Sequence, residues 1–352
     1  MPFFTLKDGA KIAYQKFGGS GATKAKVRKA LCFHGWLDNS STFSQLGPAL
    51  GRRGWESTCI DFAGHGHSDH AAVTSNTNFH QMVIHAREVY DQVRAEGEKV
   101  TVIGHSMGGS VALLFAAAHP ELVHKLVLLE SFGPMCRKAE DAVSVLRKAV
   151  DGKLAFNKHK MGRPPKVYSL ETAVQARVNT ALTWPGDQSL SEEAARLLVT
   201  RGTEVMAEGE VGWEATGSAG AAGAAAAGVR VKFRHDQRLY LPSPSYYAPE
   251  HVTAFFNAIE CKTLLVIGTK GWPTSPSQTA GNKAVLEDKG LLTHVVLDGS
   301  HHLHLDPDTA PAVAEAVAAF LDDEEQTQGL QVPGQGIADT PPPPAVAQDR
   351  AV

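Results

Sequence analysis

The stretch VIGHSMGGSVALLFAA, residues 102–117, decides the fold class of this chain. Its first residues complete a short apolar run that is typical of a buried strand, and residues 110–118 are rich in alanine and leucine, as buried helices are. Between the two runs, Ser106 is flanked by Gly104 and Gly108. A strand that turns sharply into a helix needs glycine at these two positions, because side chains there would collide. The stretch therefore predicts a strained strand–turn–helix unit with Ser106 exposed at its turn.

The pattern Gly-x-Ser-x-Gly at such a junction is typical of a nucleophile elbow. In an elbow of this kind, the backbone strain directs Ser106 Oγ out at the top of the sheet. The first amides of the following helix then face the space above the serine, where they and the helix dipole stabilise a developing negative charge. A glycine-rich turn without chemistry is the alternative. The strand before the turn and the helix after it favour the catalytic interpretation.

A serine hydroxyl is a weak nucleophile at neutral pH and needs a base. In the chain order that accompanies this elbow, the acid follows the serine and the histidine comes after the last strand. The stretch LDGSHHLHLDP, residues 297–307, offers His301, His302 and His304 at that place. Three clustered histidines could instead bind a metal, but no spacing such as HExxH accompanies them. We therefore expect no metal and no cofactor.

The rest of the chain predicts an α/β fold with an insertion. Short apolar runs alternate with helical patterns over residues 1–134 and again over 259–322, which predicts a mostly parallel sheet with helices on both faces. Between them, residues 135–258 show helical patterns and no clear strands, so we expect a helical cap. Its glycine- and alanine-rich part, 215–229, is predicted to be flexible. The proline-rich tail, 323–352, is predicted to be disordered.

The composition limits the classes of function. The chain has 352 residues, 43% of them hydrophobic, and a net charge of −3, so it can bury a core and has no overall attraction to nucleic acid or an anionic membrane. A basic stretch at 148–166 fits either a solvated loop or the attraction of an anionic substrate. The four cysteines show no metal spacing and predict reduced thiols. The sequence shows no secretory signal and no membrane-spanning run, which predicts an intracellular location, in the cytoplasm or an organelle. The oligomeric state stays open.

Four stretches carry a family resemblance. They are CFHGWLDN at 32–39, DFAGHGHSD at 61–69, GHSMGGSVAL at 104–113 and DGSHHLHLDP at 298–307. In this order and spacing they resemble the α/β-hydrolase family over about residues 2–322. The resemblance implies an eight-stranded sheet with the cap inserted after the sixth strand. Within that family the chain looks most like the serine hydrolase-like proteins, which are relatives of epoxide hydrolases and haloalkane dehalogenases.

The resemblance also implies roles for single residues. The family pattern Gly-x-His falls on Gly299 and His301, which makes His301 the base and leaves His302 as a packing residue. The HGW stretch resembles the oxyanion loop of the family. It implies that the backbone amide of Trp36 forms the oxyanion hole together with the amide of Met107.

The acid is the least obvious member of the predicted triad. Hydrolases of this family usually carry it after the seventh strand, but residues 268–273 contain no carboxylate. Glu130 instead ends the sixth strand, where haloalkane dehalogenases keep their acid, and it is our choice. A strand-end glutamate that pairs with an arginine of the cap is the alternative role for Glu130. Asp298 and Asp306 are the alternative acids, both close in sequence to His301.

The residue at the elbow limits the chemistry. Epoxide hydrolases and haloalkane dehalogenases attack with an aspartate, whereas this chain has Ser106, so an alkyl ester to a carboxylate cannot form here. The sequence predicts a serine hydrolase of the carboxylic ester hydrolase class, acting on a small or medium acyl ester, with thioesters and amides left open. The alternative is a hydrolase-like receptor that binds a small molecule with little or no turnover.

Overall fold

The computed structural model describes residues 1–19, 27–71, 78–159, 165–207, 213–214, 229–273 and 276–323. Most of the glycine- and alanine-rich segment 215–229 and of the tail 323–352 lies outside these residues. Only Val229 and Asp323 of those two predicted segments are described, so both predictions stay untested.

The secondary structure alternates strands and helices along much of the chain. In chain order the strands are β1 (Phe3–Thr5), β2 (Lys11–Gly18), β3 (Arg28–Phe33), β4 (Trp55–Ile60), β5 (Val100–His105), β6 (Val123–Leu129), β7 (Lys166–Ser169), β8 (Thr203–Val205), β9 (Trp213–Glu214), β10 (Arg230–Phe233), β11 (Lys262–Lys270) and β12 (Leu292–Ser300). The α-helices are α1 (Leu46–Arg52), α2 (Phe79–Val93), α3 (Met107–Ala118), α4 (Ala142–His159), α5 (Leu170–Leu182), α6 (Glu192–Gly202), α7 (Pro249–Ala258), α8 (Pro276–Asp288) and α9 (Ala310–Asp322). Short 3-10 helices lie at Ser40–Phe43, Ala139–Asp141 and Gln237–Tyr240.

The main sheet has eight strands in the order β1-β2-β4-β3-β5-β6-β11-β12. The pairs β1–β2 and β2–β4 are antiparallel, and every other pair in this sheet is parallel. Parallel strands end at the same edge of a sheet, so the loops after β3, β5, β6, β11 and β12 meet there. The prediction of an eight-stranded, mostly parallel α/β sheet is confirmed.

Helices cover both faces of this sheet. Because successive residues of a strand point to opposite faces, Val102 of β5 packs in one hydrophobic cluster and Ile103 in the other. The first cluster contains buried side chains of α2, α3 and α7, and the second contains those of α1 and α9. The sheet is therefore buried on both sides, which holds the strand ends in fixed positions.

The inserted segment 135–258 differs from the sequence prediction in one respect. It contains the helices α4 to α7, but it also contains β7 to β10, which form a second sheet in the order β8-β10-β7-β9. These strands are only two to four residues long, too short to give the alternating pattern by which a strand is recognised in a sequence.

The helices of the inserted segment pack in two different hydrophobic clusters. The helices α5 and α6 pack with the small sheet in a hydrophobic cluster of their own. In contrast, Val252 and Phe256 of α7 belong to the core beneath the main sheet. The cap boundaries at 135 and 258 stay a prediction, and this packing places α7 with the main layers.

Candidate active site

The turn between β5 and α3 is the strained elbow that the sequence predicts. Ser106 has φ 53° and ψ −118°, a conformation that residues other than glycine rarely adopt. A Cβ added at Gly104 would lie 2.4 Å from the carbonyl oxygen of Gly108. A Cβ added at Gly108 would lie 2.2 Å from the carbonyl oxygen of Phe33. Both glycines are therefore required by close backbone contacts, and the strain they permit is typical of a functional site.

The structure brings Ser106, His301 and Glu130 together at the carboxyl edge of the sheet. Ser106 Oγ lies 2.8 Å from His301 Nε2, and His301 Nδ1 lies 3.1 Å from Glu130 Oε2. His301 and Glu130 are buried, whereas Ser106 is partly exposed. A hydroxyl, an imidazole and a carboxylate in this order form the geometry in which a histidine can take the serine proton.

Glu130 is held by the end of β11 and by the loop that follows it. Gly268 N donates to Glu130 Oε1 at 2.6 Å, and Trp272 N donates to Glu130 Oε2 at 2.8 Å. A Cβ added at Gly271 would lie 2.2 Å from Glu130 Oε1, so the loop closes tightly around the carboxylate. Glu130 itself has φ 52°, a second left-handed residue at a strand end. Charge-assisted bonds from two amides fix the direction of the carboxylate.

The two alternative acids have other partners. Asp298 Oδ1 accepts a hydrogen bond from Thr269 Oγ1 at 2.9 Å, and Asp306 Oδ1 accepts one from Ser191 N at 2.9 Å. Glu130 is thus the carboxylate that lies within hydrogen-bond distance of His301 Nδ1.

The predicted oxyanion residues lie on two adjoining segments. Trp36 is in the turn after β3, and Met107 is the first residue of α3. The close approach of Gly108 to the end of β3 brings the two segments together. Gly35 adds a further contact, since a Cβ there would lie 2.9 Å from His105 Nδ1. The role of the Trp36 and Met107 amides stays a prediction.

Comparison with known proteins identifies the fold family of the chain. A family model described as the alpha/beta hydrolase fold matches residues 31–308. The chain belongs to the alpha/beta hydrolase fold family. A serine hydrolase-like protein of Dictyostelium discoideum is 27% identical over 326 residues, which cover 90% of this chain and 80% of that protein. A serine hydrolase-like protein of Danio rerio is 28% identical over 304 residues, covering 86% of this chain and 83% of the relative.

The chain is also similar to a solved structure. A hypothetical protein from Pseudomonas aeruginosa has a TM-score of 0.72 and 32% identity, covering 91% of this chain and 98% of the other. The resemblance to the alpha/beta hydrolases and to the serine hydrolase-like proteins among them is confirmed.

The environment of His301 favours the neutral imidazole. Burial lowers the pKa of His301, the hydrogen bond and charge of Glu130 raise it, and the neighbouring His105 lowers it again. The pKa stays below the usual 6.5. At neutral pH the ring is therefore unprotonated and can accept the proton of Ser106.

The other histidines near His301 form a buried polar network. His302 Nε2 lies 3.0 Å from Asp38 Oδ2, and His304 Nε2 lies 2.9 Å from Thr42 Oγ1. Burial lowers the pKa of His302 to about 3, although Asp38 opposes the shift. These histidines are therefore neutral and held by hydrogen bonds, in addition to the packing that the sequence predicts for His302.

One part of this network has ligand atoms close enough for a cation. Atoms of Asp38, His105 and His302 lie within 4.8 Å of one another. However, Arg177 Nη2 donates to Asp38 Oδ1 at 2.6 Å, so a guanidinium already lies beside the carboxylate. Burial alone would raise the pKa of Asp38, but the hydrogen bond from His302 and the charge of Arg177 hold it well below its usual range. The donor set therefore fits a hydrogen-bonded ion pair better than a metal site.

Two cap residues at the site were not predicted from the sequence. Arg177 comes from α5, and Gln188 comes from the loop before α6. Gln188 Oε1 accepts from His301 N at 2.9 Å, while its Nε2 donates to the carbonyl oxygen of Gly271 at 3.0 Å. Gln188 thus joins the loop of the base to the loop that holds the acid. Gly271 lies just after β11. No local sequence motif identifies Gln188 as a site residue.

Proposed function

We propose that the chain is a serine hydrolase that cleaves a small or medium acyl ester through an acyl-enzyme on Ser106. The observation that supports it is the continuous contact from Ser106 Oγ to His301 Nε2 at 2.8 Å and from His301 Nδ1 to Glu130 at 3.1 Å. Thioesters and amides undergo the same acyl transfer and belong to the same proposal.

In this mechanism His301 is the base and then the acid. Ser106 Oγ attacks the acyl carbonyl while His301 Nε2 takes the hydroxyl proton, and Glu130 stabilises the imidazolium that forms. The amides of Trp36 and Met107 stabilise the oxyanion of the tetrahedral intermediate. His301 then protonates the leaving group, and the acyl group stays on Ser106.

Deacylation repeats these steps with water. His301 takes a proton from a water molecule, which attacks the acyl carbonyl, and returns the proton to Ser106 Oγ as the acid product leaves. Glu130 again stabilises the imidazolium. No alkyl ester to a carboxylate is involved, because Ser106 stands where an aspartate would be needed.

The cap and the loop after β11 support this reaction by shaping the space beside His301. The rings of Trp184 and Trp272 lie 6.1 Å and 5.4 Å from the ring of His301, measured between centroids. Two large apolar side chains at this distance exclude water from one side of the base, which strengthens the electrostatic interactions of the site.

The proposal is tested by turnover of a short-chain ester. We expect more than about one turnover per second from the wild type, within the usual range for enzymes. The Ser106→Ala variant should show none, since it keeps the binding cleft and loses the nucleophile. Tight binding with about one turnover per molecule would contradict an enzyme and support the hydrolase-like receptor instead.

A further inference from the structure

The helix α4 exposes an apolar stripe that no other described part of the chain covers. Val143 is 74% exposed, Leu146 52%, Val150 49% and Leu154 62%. These residues are three, four and four positions apart, so they lie on one face of the helix. Of the 18 residues of α4, only Ala149 is buried. An 18-residue helix in a folded domain normally buries its apolar face, and α4 presents it to the outside.

Basic residues border this stripe. The helix contains Arg147, Lys148, Lys153 and Lys158 against a single carboxylate, Asp151. With about 100° of rotation per residue, Arg147 and Lys158 lie along one side of the stripe and Lys153 along the other. Long basic side chains in these positions can extend to a polar surface while the aliphatic residues between them enter an apolar layer.

The basic residues of α4 favour an anionic bilayer surface over a second copy of the chain as the partner of the stripe. A second copy of the chain, packed through the same stripe, would bring like basic residues against each other, which is unfavourable. A bilayer surface with anionic headgroups complements both the basic borders and the apolar stripe. The overall net charge of −3 gives no attraction to such a surface, so any binding must arise from this local arrangement.

We propose that α4 binds in the plane of a bilayer surface that carries anionic headgroups, with Val143, Leu146, Val150 and Leu154 inserted at the boundary of the acyl chains. This is an interfacial mode of binding. None of the described helices has the length and apolar character for a membrane crossing. The proposal does not depend on the reaction that Ser106 carries out.

The opposite face of the same helix contacts the segment 240–242, which in turn packs on the predicted oxyanion turn. A Cβ added at Gly152 of α4 would lie 3.2 Å from Pro242 Cδ. Two residues before this proline, the ring of Tyr240 packs edge-on against Trp36, with the centroids 5.5 Å apart.

The test is co-sedimentation of the whole chain with lipid vesicles. We expect binding to phosphatidylcholine vesicles that contain about 30% phosphatidylserine, and much weaker binding to phosphatidylcholine alone. Raising the salt from about 0.05 M to about 0.5 M should weaken the binding, since it screens the charges.

Variants separate the two contributions. Leu146→Ser and Leu154→Ser should each lower the affinity by about tenfold, the scale of one buried leucine. Arg147→Glu should lower it by about fivefold or more. Ile84→Ser is the matched control, since Ile84 is also 50% exposed but lies on α2, and it should bind as the wild type does. Unchanged melting temperatures of the variants show that they remain folded.

Two results would overturn the proposal. The first is failure of the wild type to sediment with anionic vesicles at low salt, or sedimentation that the α4 substitutions leave unchanged. The second is self-association in analytical ultracentrifugation that Leu146→Ser abolishes, because it would assign the stripe to a second copy.

Discussion

The ends of β6 and β11 lie side by side. One contributes the acceptor and the other the donors of the same hydrogen bonds. Leu129, the last residue of β6, pairs with Val266 of β11 in parallel register. β6 then leads into Glu130, which supplies a carboxylate, while the end of β11 and the loop after it supply the amides of Gly268 and Trp272. The family resemblance implies an acid in the loop after β11. In this chain the loop contains no carboxylate and instead donates a hydrogen bond to Glu130.

In the proposed mechanism, the acid of the triad comes from the strand next to the one after which it is expected. In a triad, a carboxylate oxygen must lie within hydrogen-bond distance of His301 Nδ1. A side chain at the end of either of two adjacent strands, β6 or β11, can place an oxygen there. When Glu130 supplies the oxygen, the other loop must donate amides and must lack a side chain at Gly271. The two strand ends are therefore interdependent, and substitutions on either side should affect His301.

The largest expected effect is on the β6 side. Glu130→Gln should lower kcat by about 10²–10⁴, the scale of an acid-to-amide change in a triad. The carboxylate accepts bonds from Gly268 N, Trp272 N and His301, whereas the amide offers one oxygen and turns an NH2 towards a donor. Steady-state kinetics on a short-chain ester measures the change.

Matched controls for this substitution are Asp298→Asn and Asp306→Asn. Each removes a carboxylate that is close to His301 in sequence but is hydrogen-bonded to another residue. Each should therefore lower kcat much less than Glu130→Gln does. A Glu130→Gln variant with near-normal kcat would refute the role of Glu130 and leave a Ser–His dyad or another acid.

A smaller effect is expected on the β11 side. Gly271→Ala should lower kcat by up to about 100-fold, because its Cβ would lie 2.2 Å from Glu130 Oε1 and displace the carboxylate from His301. Gly281→Ala, on α8, is the control, since a Cβ there meets nothing within 4 Å. Equal kinetics of the two alanine variants would show that the loop does not constrain the acid.

The smallest expected effect is a shift in the pH profile. Only neutral His301 can accept the Ser106 proton, so kcat/KM falls as the pH falls through the pKa of His301. Burial holds that pKa below 6.5, and the acid limb should therefore have its midpoint below 6.5. Because Glu130 raises this pKa, the residual activity of Glu130→Gln should have a still lower midpoint. A wild-type midpoint above 6.5, or an upward shift in the variant, would contradict the account.

The fold and the centre of the site could be predicted because their signals are local. Gly104, Ser106 and Gly108 stand within five residues, and the strain that they encode depends on backbone contacts that any elbow of this kind makes. His301 follows from a short pattern at the end of the last strand. The place of Glu130 beside His301 could be anticipated because residues 268–273 contain no carboxylate and the family resemblance, through the haloalkane dehalogenases, implies an acid at the end of the sixth strand.

The contribution of the cap could not be predicted in the same way. Gln188 reaches His301 N across 113 residues of sequence, and Arg177 reaches Asp38 across 139. Such contacts depend on how the inserted segment packs on the sheet, and no spacing within either segment encodes it. The strands of the small sheet were missed for a related reason, since they are too short to produce an alternating pattern.

The central claim is that Ser106 is a nucleophile activated by His301, and labelling with a fluorophosphonate tests it most directly. We expect the probe to form a covalent adduct that mass spectrometry locates on Ser106 of the wild type. The Ser106→Ala variant should remain unlabelled. Labelling that persists in Ser106→Ala, or a folded wild type that does not react, would contradict the account.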